Sequence, residues 1–160
     1  MVSIGITGHV HLSEASEQLI FDAVVEALRE YALERPHGIT CLARGADQIF
    51  ARAVVALGGT FEVVLPARDY RRRIVTTEES QTFDLLLEQA SRVRILRARH
   101  SGRPAYVAAS RYMLNRSTLL FAVWDGQPTK GLGDTAHVVS LAEERGLPVK
   151  VLWPAGAGRR

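Results

Sequence analysis

The sequence predicts a single α/β domain: a Rossmann-like, doubly wound, mainly parallel sheet with helices on both faces. Three observations predict it. Strand-like and helix-like segments alternate from end to end, the pattern of a parallel sheet wrapped by helices. Several strand-like runs, "ITCLA" (39–43) and "TLLFAVW" (118–124) among them, read as buried strands. Glycine or proline punctuates most of the junctions, as at Gly8, Pro36, Gly58-Gly59, Pro66 and Gly146.

Taken in order, "VSIGIT" (2–7) is a first strand closed by Gly8, and Ser13 is a cap for a helix over "EASEQLIFDAVVEALREYALE". Leu19, Ala23, Ala27, Leu28 and Tyr31 recur there at helical spacing. "ITCLA" is the second strand and "RGADQIFARAVVALGG" the second helix, stopped by its glycines. "FEVVLP" (61–66) is the third strand. A basic irregular segment, 67–76, leads to a helix over 77–90. "RVRIL" (92–96) alternates basic and apolar residues, as an edge strand does. A loop, a helix over 105–117, the buried strand "TLLFAVW" and the loop "DGQPTKGLG" follow. A helix over 134–146 and the strand "LPVKVLWP" complete the set. The domain spans 1–154, and 155–160 is read as a flexible tail.

The 160 residues are 47% hydrophobic and 23% charged, an ordinary soluble composition. The longest apolar run is too short to span a bilayer. No basic segment precedes the first apolar residues, so no secretory signal is expected. With one cysteine, Cys41, there is no disulfide framework or zinc set, and a buried thiol in a reducing, cytoplasmic setting fits. The net charge of +3 is unevenly spread. Residues 71–116 carry ten arginines against four acids, and every basic residue among them is arginine, the type suited to bidentate phosphate or carboxylate contacts. A solvated face accounts for the same pattern.

In doubly wound sheets, ligands bind beyond the carboxyl ends of the strands. Four loops fall there: 7–13, 43–47, 66–73 and 124–135. Gly8, Gly45, Gly131 and Gly133 open the backbone to a ligand. Helices beginning near Asp47 and Asp134 offer free N–H groups and partial positive charge, although both aspartates also suit plain N-caps. Thr7 and Thr135 add hydroxyls, and Arg44 a phosphate-gripping fork. Asp125 is placed to read a ribose hydroxyl. His9 suits a phosphate contact or a turn; Tyr70 and Arg71 suit closure over a ligand. His9 and His11 have no third ligand nearby, so no metal is expected. Trp124 is read as core, and Arg111 and Asn115, one helical turn apart, as lining the pocket or capping a neighbouring turn. Neither G-x-G-x-x-G nor a complete P-loop occurs.

"GITGH" (5–9), "CLARGADQIFARAVVALGG" (41–59), "EVVLP" (62–66), "SRYMLNRSTLLFAVWDG" (110–126) and "KGLGDTAHVVSLAEERGLPVKVLWP" (130–154) together resemble the SLOG superfamily. That group includes the Rossmann domain of DNA-processing protein A and the lysine-decarboxylase-like "Lonely guy" proteins. "ARGAD" resembles its (A/S)-x-G-x-D turn and "GLGDT" its second glycine-rich turn. The resemblance implies a pocket for nucleotides or nucleotide-derived ligands and, in many members, a dimer. The hydrolases of the group carry P-G-G-x-G-T-x-x-E; here the glutamate position, three after Thr135, is Val138.

Three functions compete. The first is binding of a nucleotide-derived phosphorylated ligand as sensor or carrier, without chemistry and without a cofactor. The second is N-glycoside hydrolysis of nucleoside 5′-monophosphates, with Asp125 or Asp134 in place of the missing glutamate. The third is single-stranded nucleic-acid binding through the 71–116 arginines. No membrane partner is expected.

Overall fold

In the computed structural model, residues 2–31, 34–128 and 134–159 are described. Six strands form one sheet: β1 (Ser3–Gly8), β2 (His37–Thr40), β3 (Thr60–Leu65), β4 (Arg92–Ile95), β5 (Leu119–Val123) and β6 (Val149–Val151). The helices between them are α1 (Glu14–Tyr31), α2 (Ala46–Ala56), the short α3 (Tyr70–Arg73), α4 (Thr77–Gln89), α5 (Arg103–Asn115) and α6 (Thr135–Glu144). The strand order is β4-β3-β2-β1-β5-β6, and every pairing is parallel. The chain runs outward from β1 to β4, then returns to lay β5 against the other side of β1. The winding therefore reverses between β1 and β5, as the doubly wound expectation requires.

The strands' alternation assigns the helices to faces. Ile4, Ile6, Phe61, Val63, Leu65, Phe121 and Val123 pack with Ile20, Val24 and Leu28 of α1, Phe50 and Val54 of α2, and Phe83 and Leu86 of α4. Ile39, Val64 and Leu120, from the opposite face, pack with Ala109, Met113 and Leu114 of α5 and with Val138, Leu141 and Ala142 of α6. All five residues of β5 are buried, which is why "LLFAV" is apolar throughout. Burial of these side chains is the main stabilising term, at about 25 cal/mol per Å² of apolar surface.

Two local expectations are corrected. In α1 the buried row is Ile20, Val24, Ala27 and Leu28, whereas Leu19 and Tyr31 are more than a third exposed. The i, i+4 row of branched residues enters the core and turns Leu19 outward. Strand β2 starts earlier than "ITCLA" and ends at Thr40. Leu42 breaks it by adopting φ 59°, a left-handed conformation that is uncommon for a leucine. The Thr40 hydroxyl accepts the Leu42 N–H at 2.9 Å and Gln48 Nε2 donates to the Leu42 carbonyl at 3.2 Å, so the turn is held from both sides.

Residues 155–159 run back over the start of α1. Ser13 N–H donates to the Gly158 carbonyl, Gly158 N–H donates to Ser16 Oγ at 2.7 Å, and Arg159 bridges to Leu12. Among the described residues no helix is long and apolar enough to cross a membrane.

Candidate functional site

A cavity of about 560 Å³ opens at the carboxyl ends of the strands. The loop after β1 supplies Thr7, Gly8, His9 and His11 to its walls; the β2–α2 turn supplies Cys41, Leu42, Arg44 and Asp47. The segment after β3 adds Tyr70 and Thr76, and α4 adds Glu79 and Phe83. From α5 come Tyr106, Ser110 and Met113, and from the start of α6 come Asp134, Thr135 and Val138. The size is that of a small-molecule site.

The chemistry of the walls is mostly that of hydroxyls. Thr7, Tyr70, Ser110 and Thr135 are each more than nine-tenths buried. Their side chains make no hydrogen bond to another described residue. Every fully enclosed side-chain polar atom among the described residues does have a partner, so these four hydroxyls reach open space, and the space beside them is the cavity.

Asp47 is also buried, in the first turn of α2, where its Oδ2 accepts the Ala43 N–H at 3.2 Å. Loss of hydration raises its carboxyl to about 7, against which the Ala43 bond works only in part. Burial likewise raises the Tyr70 hydroxyl and the Cys41 thiol, with Asp47 adding to both. Neither is a ready nucleophile at neutral pH.

Arg44 lies at the mouth, 43% exposed, and its Nη1 donates to Glu79 Oε1 at 3.0 Å. The guanidinium is thus partnered across the opening rather than free. Gly8 and Gly45 also have a packing role. A Cβ on Gly8 would meet Ala46 Cβ at 2.5 Å and Val123 Cβ at 2.7 Å, so the glycine lets β1, β5 and α2 close together. Gly45 has φ 84°, and a Cβ there would lie 2.5 Å from the Val10 carbonyl. The adjoining Ala46 N–H donates to the His9 carbonyl at 3.2 Å, so one N-terminal amide of α2 is already used.

His9 and Asp125 meet at the reversal point. Asp125 N–H donates to His9 Nε2 at 3.3 Å, and Asp125 Oδ2 accepts from Arg159 Nε at 2.7 Å. Burial and the nearby Arg159 hold the His9 ring below its usual pKa, outweighing Asp125; the neutral ring accepts, consistent with that bond. The His9 ring also meets Trp153 edge-on, 5.4 Å between centroids. Burial pushes the Asp125 carboxyl up, but Gln127 N–H, Arg159 and His9 together hold it below the usual range.

Of the residues singled out from the sequence, Thr7, Gly8, His9, Arg44, Asp47, Tyr70, Asp134 and Thr135 line one cavity. Gly45 lies behind the wall. Asp125 is turned to Arg159, and Arg71 points to Asp84 at 2.8 Å on the surface; neither lines the cavity. Asp134 caps α6, accepting the His137 N–H at 3.3 Å. Gly131 and Gly133 lie outside the described residues. Trp124 is half-buried, and its Nε1 donates to the Gln127 carbonyl at 2.8 Å. The Arg111 carbonyl and Asn115 Oδ1 accept from Arg145 after α6, and neither residue lines this cavity.

The cavity set also contains Tyr106, Ser110 and Met113, which the sequence reading passed over. Their spacing along α5 is one helical face, and a serine on an otherwise apolar face was the available signal. Among the described residues no group of three or more His, Cys, Asp or Glu is placed to hold a metal.

The fold has counterparts among solved structures. The fold is shared with DNA processing protein A. The Helicobacter pylori protein, described for its single-stranded DNA binding mode, matches with a TM-score of 0.68 at 14% identity, over 99% of this chain and 68% of its own. The Streptococcus pneumoniae protein matches with a TM-score of 0.69 at 13% identity, over 98% of this chain and 52% of its own. The molybdenum cofactor binding protein of Rippkaea orientalis matches with a TM-score of 0.60 at 17% identity, over 96% of this chain and 77% of its own. This chain therefore spans about half of the pneumococcal protein. At these identities the likeness shows the fold alone, the doubly wound α/β architecture that the sequence predicts. No family model matches the chain, and no curated protein matches it.

Proposed function

We propose that the chain binds a nucleotide or nucleotide-derived phosphorylated ligand at the carboxyl edge of its sheet, and serves as a sensor or carrier. The single observation that carries this reading is the set of four hydroxyls, from Thr7, Tyr70, Ser110 and Thr135, that bond to no other described residue and open onto one cavity. Hydroxyls that reach the open cavity are served by water, and a ligand that displaces this water must supply the hydrogen bonds in its place. A ligand rich in hydroxyls and ring nitrogens supplies them at four places. Its sugar and base occupy the hydroxyl floor, and its phosphate reaches the mouth, where Arg44 exchanges Glu79 for the anion. The solved neighbours, a molybdenum cofactor binding protein among them, make ligand carriage a natural use of the fold.

A thermal-shift screen with nucleoside mono- and diphosphates, dinucleotides and ADP-ribose tests the reading, alongside mass spectrometry of what co-purifies. A Thr7→Val/Thr135→Val variant should lose the shift while keeping its fold. Absence of any shift and of any co-purified ligand would sink the reading.

A second reading has its own observation. Arg68, Arg72 and Arg73 are exposed on the segment that walls the cavity mouth, and the Helicobacter neighbour is described as binding single-stranded DNA. On this reading a strand lies across the mouth. Its affinity for an oligothymidylate would fall steeply with salt and grow with strand length. Hydrolysis has less behind it. Asp125 is committed to Arg159, and Asp134 caps α6.

A further inference from the structure

Strand β4 is an edge that the other described strands leave unpaired on its outer side. Among the described residues it pairs with β3 alone, and all four of its residues are exposed. Leu96 N–H, just past the strand, donates to the Leu65 carbonyl. By alternation, the backbone groups of Val93 and Ile95 face away from β3, toward solvent.

The two faces of the strand differ. Arg92 and Arg94 are in register with Glu62 and Val64, on the α5 side. Among the described residues neither has an acidic partner. Arg94 lies over the Tyr112 ring at 5.8 Å, with Arg116 at 5.9 Å from the same ring. Val93 and Ile95 are in register with Val63 and Leu65 on the other side, 41% and 51% exposed. Exposed Arg97 and Arg99 follow directly, also without acidic partners among the described residues.

A second copy of the chain is a poor occupant of this edge. Antiparallel registers centred on Arg92, Val93 or Arg94 each set arginine opposite arginine, and like charges directly opposite are destabilising. Nucleic acid would satisfy the guanidinium groups, but it has no extended chain of alternating donors and acceptors for Val93 and Ile95, and nothing for their side chains. An extended peptide with carboxylates on one side and apolar residues on the other satisfies all three features.

We propose that the β4 edge takes up an extended acidic peptide segment of a partner protein, which adds a strand to the sheet with carboxylates over Arg92 and Arg94 and apolar residues beside Val93 and Ile95. Four residues make a small contact, so the association belongs to the weak, transient class.

The test uses the full chain and two fluorescein-labelled peptides with glycine-serine flanks, one alternating glutamate and valine, the other lysine and valine. Fluorescence anisotropy should show binding of the glutamate peptide alone. In an R92E/R94E variant, affinity for that peptide should fall about tenfold, and the lysine peptide should now bind. Amide exchange at Val93 and Ile95 in the unaltered chain should slow when the glutamate peptide is added. The proposal is overturned if the glutamate peptide does not bind, if both peptides bind equally, or if binding leaves those two amides unprotected. It is also overturned if an oligothymidylate slows the same two amides while the peptide does not.

Discussion

Arg44 reaches across the mouth of the cavity to Glu79, Nη1 to Oε1 at 3.0 Å, joining the β2–α2 turn to the first turns of α4. The pair is part exposed on both sides, so it contributes little to stability, about 0.2–1 kcal/mol. Its larger consequence is competition, because a phosphate at the mouth must displace the carboxylate. Glu79→Gln should therefore tighten phosphorylated nucleotides about two- to fivefold, the worth of an exposed ion pair. Arg44→Ala should weaken them about tenfold or more, as loss of a charge-assisted bond does. Titration calorimetry reads both, and opposite signs for the two variants are the expected outcome.

Asp47 makes stability depend on pH in an unusual direction. Its folded pKa is raised to about 7 from an ordinary 3.8, so the folded state holds a proton that the unfolded state releases. Between pH 4 and pH 7 this group makes the protein less stable as pH rises, by at most about 4 kcal/mol. Below pH 4 both states are protonated, and the difference vanishes. Asp47→Asn keeps an acceptor for Ala43 and has no charge to bury. It should melt higher than the parent at pH 8, and the gap should close as the pH is lowered toward 4. An equal gap at both pH values would show that desolvation of the carboxylate is not its cause.

The reversal point offers a two-sided test. His9 is depressed first by burial and then by Arg159, while Asp125 works the other way. Arg159→Ala should raise the His9 pKa, and Asp125→Asn should lower it further. The His9 ring proton followed by NMR across pH 4–9 resolves both. If the two variants move the resonance midpoint the same way, the charge arrangement is other than described.

Gly8→Ala places a methyl group 2.5 Å from Ala46 Cβ and 2.7 Å from Val123 Cβ. Overpacking of this kind costs about 1–3 kcal/mol. Urea unfolding should show the loss with no change in slope. Because the clash sits where β1, β5 and α2 meet, ligand affinity should fall along with stability.

The sheet was legible in the sequence because its strands and helices announce themselves by composition and stops. "LLFAV", buried along its whole length, is the plainest case. Register within elements was less legible. In α1, Leu19 and Ile20 are adjacent apolar residues, and only the packed sheet decides which of them faces inward. That Thr7, Arg44, Asp47 and Thr135 share one cavity was legible because chain reversals place strand ends together. Ser110 was missed because it sits mid-helix, away from any loop. Asp125 was legible as a strand-end acid, but its engagement by Arg159 depends on a return of the last residues that no local pattern encodes. The left-handed Leu42 belongs to the same class, since a tertiary turn rather than the residue type selects it.

The central pairing, Ile4 with Leu119 through Gly8 with Val123, joins segments that lie far apart along the chain. Such distant contacts form slowly, since the intervening loop must close before they reward it. On the ribosome, the first four strands would emerge with one flank of β1 still uncovered. On the proposed reading, capture of a ligand must then await synthesis of β5 and α6, so a nascent chain carrying only the first four strands would be blind to its guest.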